Sequence, residues 1–159
     1  MHTVYLSLGS NIGDRRQHLD EALKSLQESG ISILRVSRVY ETEPQDFRAQ
    51  PTFLNLVAEA ETRLFPLQLL HAIERVERRL GRRRVIAKGP RIIDIDILLY
   101  GGSIVDIGDL QIPHPRMALR RFVLEPLAEL APDLRHPVTH LSVAEMLEAV
   151  RDQGVKVAE

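Results

Sequence analysis

Apolar and polar positions alternate from the third residue. Val4, Leu6 and Leu8 fall on one side and Thr3, Tyr5 and Ser7 on the other, which predicts a strand over 3–9. Beyond Gly9-Ser10-Asn11 the period lengthens. Leu19, Ala22, Leu23 and Leu26 form one helical stripe, stopped by Ser29-Gly30. The apolar, β-branched stretch 31–41 predicts a second strand. Pro44 and Pro51 make 42–52 a loop, and 53–61 alternates again as a third strand. Pro66 suits the first turn of a helix whose stripe is Leu69, Ile73, Val76 and Leu80, with Gly81 as its C-terminal cap. The stretch 82–91 has no apolar period and contains Gly89-Pro90, so it reads as a loop. A fourth strand follows over 92–100, ended by Gly101-Gly102. Prolines at 113, 115, 126, 132 and 137 predict only short pieces after it. Ser142 and Glu145 form a capping box that opens a last helix, with Val143, Met146, Leu147 and Val150 inward. The order β-α-β-β-α-β predicts an α+β, ferredoxin-like fold: a mostly antiparallel sheet with helices packed on it and a helical C-terminal appendage.

Composition narrows the class. At 159 residues, 44% apolar and 27% charged, the chain fits one globular domain over 1–159. The longest run without Asp, Glu, Lys or Arg is 1–13, short of the ~20 apolar residues of a membrane helix. No basic segment opens the chain and cysteine is absent, so neither a secretory signal nor thiolate chemistry is expected, and a cytoplasmic location is the default. A net charge of −1 argues against a globally basic nucleic-acid binder. The charge is uneven, however. Arg75, Arg78, Arg79, Arg82, Arg83, Arg84, Lys88 and Arg91 face a single acid, Glu77, within one short segment. Guanidinium forks grip phosphate oxygens bidentately. A solvated helix face followed by a basic loop is the alternative.

The strand that follows this basic stretch carries Asp94 and Asp96, two residues apart and so on one face, opposite Ile93, Ile95 and Ile97. Neighbouring carboxylates repel unless a cation lies between them, and Mg²⁺ takes one or two carboxylates together with phosphate oxygens. Two solvated aspartates on a half-exposed strand are the plainer reading. The basic segment beside them favours a nucleotide-transfer site. No P-loop motif is present, and Gly9-Ser10-Asn11 reads as a turn into the first helix. On the third strand Phe53 and Asn55 share the face opposite Leu54, Leu56, Ala58 and Ala60. An aromatic plane beside an amide can receive a flat heterocycle, or Phe53 can belong to a second core layer. His114, between two prolines, is either a rigid loop residue or a phosphate donor.

Taken together, Gly89-Pro90-Arg91-x-x-Asp94-Ile95-Asp96-Ile97-Leu98 resembles the signature of the 6-hydroxymethyl-7,8-dihydropterin pyrophosphokinases of folate biosynthesis. Gly9-Ser10-Asn11, Tyr40-x-Thr42, Gln50-Pro51-x-Phe53-Leu54-Asn55, Glu77-x-x-x-Gly81-Arg82 and the segment from Pro113-His114 to Pro126-Leu127 resemble the family in order and spacing. The resemblance implies transfer of pyrophosphate from ATP to the pterin hydroxymethyl group, with release of AMP. By the same resemblance Asp94 and Asp96 hold two Mg²⁺ ions, and Arg82 and Arg91 act with them in catalysis. Glu74, Glu77, Arg82, Arg84, Arg91, Ile97, His114 and Arg120 surround ATP. Thr42, Glu43, Pro44, Gln45, Phe53, Asn55 and Phe122 surround the pterin, with the two phenylalanines stacking on its ring. The loop 82–91 is expected to close as a lid. Lys88 stands where the family usually has an aromatic residue. A monomer or weak dimer that binds ATP and a pterin alcohol, but neither nucleic acid nor membrane, completes the expectation. An RNA-binding module would need adjacent aromatic residues on its central strands, which are absent. A regulatory nucleotide-binding domain would have no need of the aspartate pair.

Overall fold

The computed structural model describes residues 1–43, 52–81 and 92–158. Strand β1 (His2–Ser10) leads to helix α1 (Arg15–Glu28), which starts where the Asp14 carboxylate accepts the Gln17 N–H at 3.1 Å. Strands β2 (Ile31–Val36), β3 (Tyr40–Thr42) and β4 (Phe53–Thr62) follow, then helix α2 (Pro66–Arg79) and strand β5 (Asp94–Tyr100). A small hairpin of β6 (Val105–Ile107) and β7 (Leu110–Ile112) precedes helix α3 (Arg121–Leu130), helix α4 (Val143–Glu148) and strand β8 (Val155–Val157). The main sheet runs β5-β1-β4-β3-β8, with β2 also on β4, and every pairing is antiparallel.

Both faces of the sheet are covered, by different helices. Leu6, Leu8, Leu54, Leu56, Ile95 and Ile97 pack with Leu19 and Leu26 of α1 and Leu69, Ile73 and Val76 of α2. On the other face Tyr5, Val57 and Leu98 meet Val123, Leu124 and Leu127 of α3 and Met146 and Leu147 of α4. The alternation on β1 and β4 therefore separates two cores rather than core from solvent. At the end of the strands nearest α1, this second face turns polar and small, with Ser7, Gly9, Asn55, Asp94 and Asp96.

Three sequence expectations change. The expected strand over 31–41 is two strands, broken at Ser37. Its N–H donates to the Val57 carbonyl at 2.9 Å while its Oγ accepts the Val57 N–H at 3.0 Å, so a side chain takes a ladder position. Proline at 126 does not fragment the chain, since α3 continues through it. An interior proline costs ~3 kcal/mol. Burial of Val123, Leu124 and Leu127, at ~1.5–3 kcal/mol for each large side chain, outweighs that. Finally, the chain after β5 is not only helical: a hairpin precedes α3, and β8 returns to the sheet beside β3.

All three tyrosine hydroxyls are committed. Tyr5 donates to Glu59, which Arg35 also holds by two bonds; Tyr40 donates to Glu129 at 2.6 Å and Tyr100 to the Leu64 carbonyl at 2.6 Å. Burial first, then the adjoining carboxylate, pushes Tyr5 and Tyr40 up to about 12, and burial raises Tyr100. These groups favour the protonated folded form. Their contribution is complete below the unfolded value of about 10 and is lost as pH rises toward 12. In alkaline titration of the native protein the Tyr5 and Tyr40 shares of the ultraviolet tyrosinate band should appear only well above pH 10, toward about 12. A native midpoint near 10 would contradict this packing.

Candidate active site

Strand register brings the distant polar residues together. Gly9 of β1 lies between Asp94 of β5 and Asn55 of β4, and Ser7 lies between Asp96 and Val57. Continuing across the sheet, Asn55 pairs with Tyr40 and Phe53 with Thr42. The two aspartates are half-buried on the polar face, whereas Ile93, Ile95 and Ile97 point into the core beneath, as the alternation predicts.

Gly9 makes the row possible. A Cβ on it would stand 2.7 Å from Asn55 Oδ1 and 3.7 Å from Phe53 Cδ1, so the Asn55 carboxamide lies over the glycine. Asn55 is only 4% exposed, yet its Nδ2 has no hydrogen-bond partner among the described residues. A buried amide donor left unpaired costs ~1–3 kcal/mol. Such a group, beside the half-buried Phe53 ring, can donate to an acceptor brought to this face.

His114 enters from the loop after β7. Its backbone N–H donates to the Leu98 carbonyl at 3.0 Å, which fixes the loop on β5. Its Nδ1 accepts the Arg116 N–H at 3.1 Å, so the neutral ring carries its proton on Nε2, 3.8 Å from Asp96 Oδ2. Burial, then the positive charges of Arg120 and Arg116, pushes this imidazole down to about 4 against the pull of Asp94. At neutral pH the contact with Asp96 therefore joins a neutral donor to a carboxylate and is not an ion pair. Arg120 holds its guanidinium carbon 5.4 Å from the centre of the Phe122 ring, at the start of α3.

The other expected residues separate into groups. Glu74 is exposed on α2, while Glu77 is buried and its Oε2 accepts the Ile95 N–H at 2.9 Å on the outer edge of β5. Glu77 thus aligns the strand that carries both aspartates. The Ile97 side chain belongs to the core on the far face, so only its backbone is available to a ligand at the polar one. Thr42 is half-buried and its Oγ donates to the Gly154 carbonyl at 3.3 Å; Glu43 is exposed. Pro44, Gln45, Arg82, Arg84 and Arg91, with Lys88 and the expected lid, lie outside the described residues. Sequence reading placed Gly9 at the end of the first strand and in the turn that follows it. Its steric role follows from pairing with Asn55, a register that no local pattern reveals. A separate polar recess of about 270 Å³ lies between Gly13–Arg16 and Ala158; there Arg15 bonds Thr52 and Arg16 bonds the Ala158 carbonyl.

Two carboxylates on one strand fit a hard cation shared with a phosphate ligand. Mg²⁺ keeps waters and substrate oxygens and needs only one or two carboxylates from a protein; among the described residues there is no group of three His, Asp or Glu side chains that could hold a metal ion. The fold and this face define an α+β protein with two carboxylates on one side of a glycine and a buried amide beside an aromatic ring on the other. The chain belongs to the 7,8-dihydro-6-hydroxymethylpterin-pyrophosphokinase family, whose model matches residues 5–132. It is 46% identical over 153 residues to the folic acid synthesis protein fol1 of Pneumocystis carinii, covering 96% of this chain and 21% of that protein. It is 41% identical over 155 residues to the 2-amino-4-hydroxy-6-hydroxymethyldihydropteridine pyrophosphokinase of Pseudomonas aeruginosa, covering 96% and 94%. The chain therefore spans about a fifth of the fol1 relative and nearly all of the bacterial one. In structure it resembles Plasmodium falciparum HPPK-DHPS crystallised with pterin and p-hydroxybenzoate, at a TM-score of 0.76 and 17% identity, over 98% of this chain and 45% of that one.

The contact between Gly9 and Asn55 is directly testable. Gly9→Ala should destabilise the protein by ~1–3 kcal/mol through overpacking. In an Asn55→Ala background most of that cost should vanish, as read by denaturant unfolding. An equal cost in both backgrounds would mean that the added methyl group meets something other than the carboxamide.

Proposed function

We propose that this chain transfers pyrophosphate from ATP to the hydroxymethyl group of 6-hydroxymethyl-7,8-dihydropterin, releasing AMP, in a single pyrophosphokinase domain of ferredoxin-like βαββαβ topology. The observation that carries the reading is the unpartnered, buried Asn55 amide beside Phe53, set one glycine away from Asp94 and Asp96. The names of the bacterial relatives support the same reaction.

In this reading Asn55 donates to the edge of the pterin ring. Phe53 and Phe122 stack on the ring, and the backbone around Thr42, Glu43, Pro44 and Gln45 closes its rim. The pterin oxygen attacks the β-phosphorus of ATP in line. A new O–P bond forms while the bond from that phosphorus to the bridging oxygen breaks; the bridging oxygen leaves on AMP, and the hydroxyl proton passes to solvent. Asp94 and Asp96 would hold two Mg²⁺ ions, which when bound offset the negative charge of the phosphate oxygens. Arg82, Arg84 and Arg91 would bind the phosphates, with Arg120 and the neutral His114 Nε2–H assisting. Glu77 keeps β5 aligned through Ile95, Glu74 lies near the nucleotide, and Ile97 contributes its backbone. Catalysis is then mostly positioning and charge compensation.

Asp94→Asn and Asp96→Asn preserve shape and remove one charge each. Each should lower the rate of pterin-dependent AMP release roughly a thousandfold, a barrier increase of ~4 kcal/mol. Full activity in both variants would overturn the assignment of the aspartates.

A further inference from the structure

Arg120 occupies the N-cap of α3 yet makes no side-chain capping bond, and arginine is a poor choice for that position, where Ser, Thr, Asp and Asn are preferred. The first N–H groups of a helix need acceptors from elsewhere. Here the acceptor comes from 32 residues further along the chain: Gln153 Oε1 accepts the Arg121 N–H at 2.9 Å. The other end of the same carboxamide, Gln153 Nε2, donates to the Leu119 carbonyl at 2.8 Å. One side chain thus holds the backbone on both sides of Arg120.

The grip is reciprocal. Arg121 Nη1 donates to the Arg151 carbonyl at 3.0 Å and the Gln153 carbonyl at 2.7 Å, while its Nη2 bonds Glu125 at 3.1 Å. The residues that follow then attach to β3. Gly154 accepts from Thr42 Oγ, and Val155 and Val157 pair with Thr42 and Tyr40. Residues 151–158 therefore tie the segment that presents Arg120 and Phe122 to the strand beside Phe53 and Asn55. Residues 151–158 lie beyond the span of the family match, which ends at residue 132.

We propose that Gln153 and Arg121 are positioning residues: by supplying the acceptor that an arginine at the N-cap cannot, and by bracing the chain on both sides of Arg120, they hold Arg120 and Phe122 in place for the substrates. The proposal rests on the reading above, in which Arg120 and Phe122 contact ATP and the pterin.

Steady-state kinetics of Gln153→Ala, together with hydrogen exchange at the Arg121 amide, test it. Exchange at Arg121 should accelerate about tenfold or more, and KM for ATP and for the pterin alcohol should each rise about five- to tenfold, on the scale of one lost hydrogen bond. The value of kcat should stay within about threefold of wild type, because no reacting group is removed. A merely structural cap would reduce the active fraction, lowering apparent kcat and leaving both KM values in place; that result overturns the proposal, as does unchanged exchange at Arg121. Gln153→Glu keeps the acceptor for Arg121 but sets an oxygen against the Leu119 carbonyl. It should give intermediate KM values, and it decides the matter if the alanine variant does not fold. A wild-type protein without pterin-dependent AMP release would overturn the reaction assigned above, and the exchange comparison would still show whether Gln153 holds α3.

Discussion

Backbone hydrogen bonds along β1 hold nine residue pairs in register with β4 and six with β5, and every distance at the site depends on that register. A slip of one residue on either side would move Asn55 or Asp94 to the opposite face. The two apolar cores prevent it. Leu6 and Leu8 lock one face under α1 and α2, and Tyr5 and Val57 lock the other under α3 and α4. With both faces buried along most of their length, these strands have one arrangement that keeps all of their apolar residues dry. The polar residues at one end are carried into position by that packing.

The same division explains why the polar end stays open. Helices α3 and α4 cover only the part of the second face that carries Tyr5, Val57, Leu98 and Leu99. Beyond it the strands offer Ser7 and Gly9, too small to fill the space above them, so the longer side chains of Asn55, Phe53, Asp94 and Asp96 line it. Glu77, whose carboxylate accepts the Ile95 N–H, and His114, 3.8 Å from Asp96, border this end of β5.

Much of this was legible in the sequence. The period-two alternation put Asp94 and Asp96 together on one face of their strand and Phe53 with Asn55 together on one face of theirs, because a strand's geometry fixes which side chains share a side. The capping box at Ser142 and the stop at Ser29-Gly30 were also local and readable. What escaped depends on partners far away in sequence. Ser37 breaks its strand by bonding Val57; α3 runs through Pro126 because the sheet buries its apolar face; Gly9 matters because Asn55 lies over it; Glu77 bonds Ile95 across helix and strand. Each is a tertiary contact, invisible to a local pattern.

The central claim is that the buried Asn55 amide awaits the edge of a pterin. The chain contains two asparagines, Asn11 and Asn55, so the side-chain amide signals of a nitrogen-labelled sample can be assigned by a single Asn55→Asp comparison. On titration with the pterin alcohol, the Asn55 Nδ2 protons should shift downfield and gain protection from exchange with water as they acquire an acceptor. An Asn55 signal that neither moves nor gains protection at saturating pterin would contradict the account.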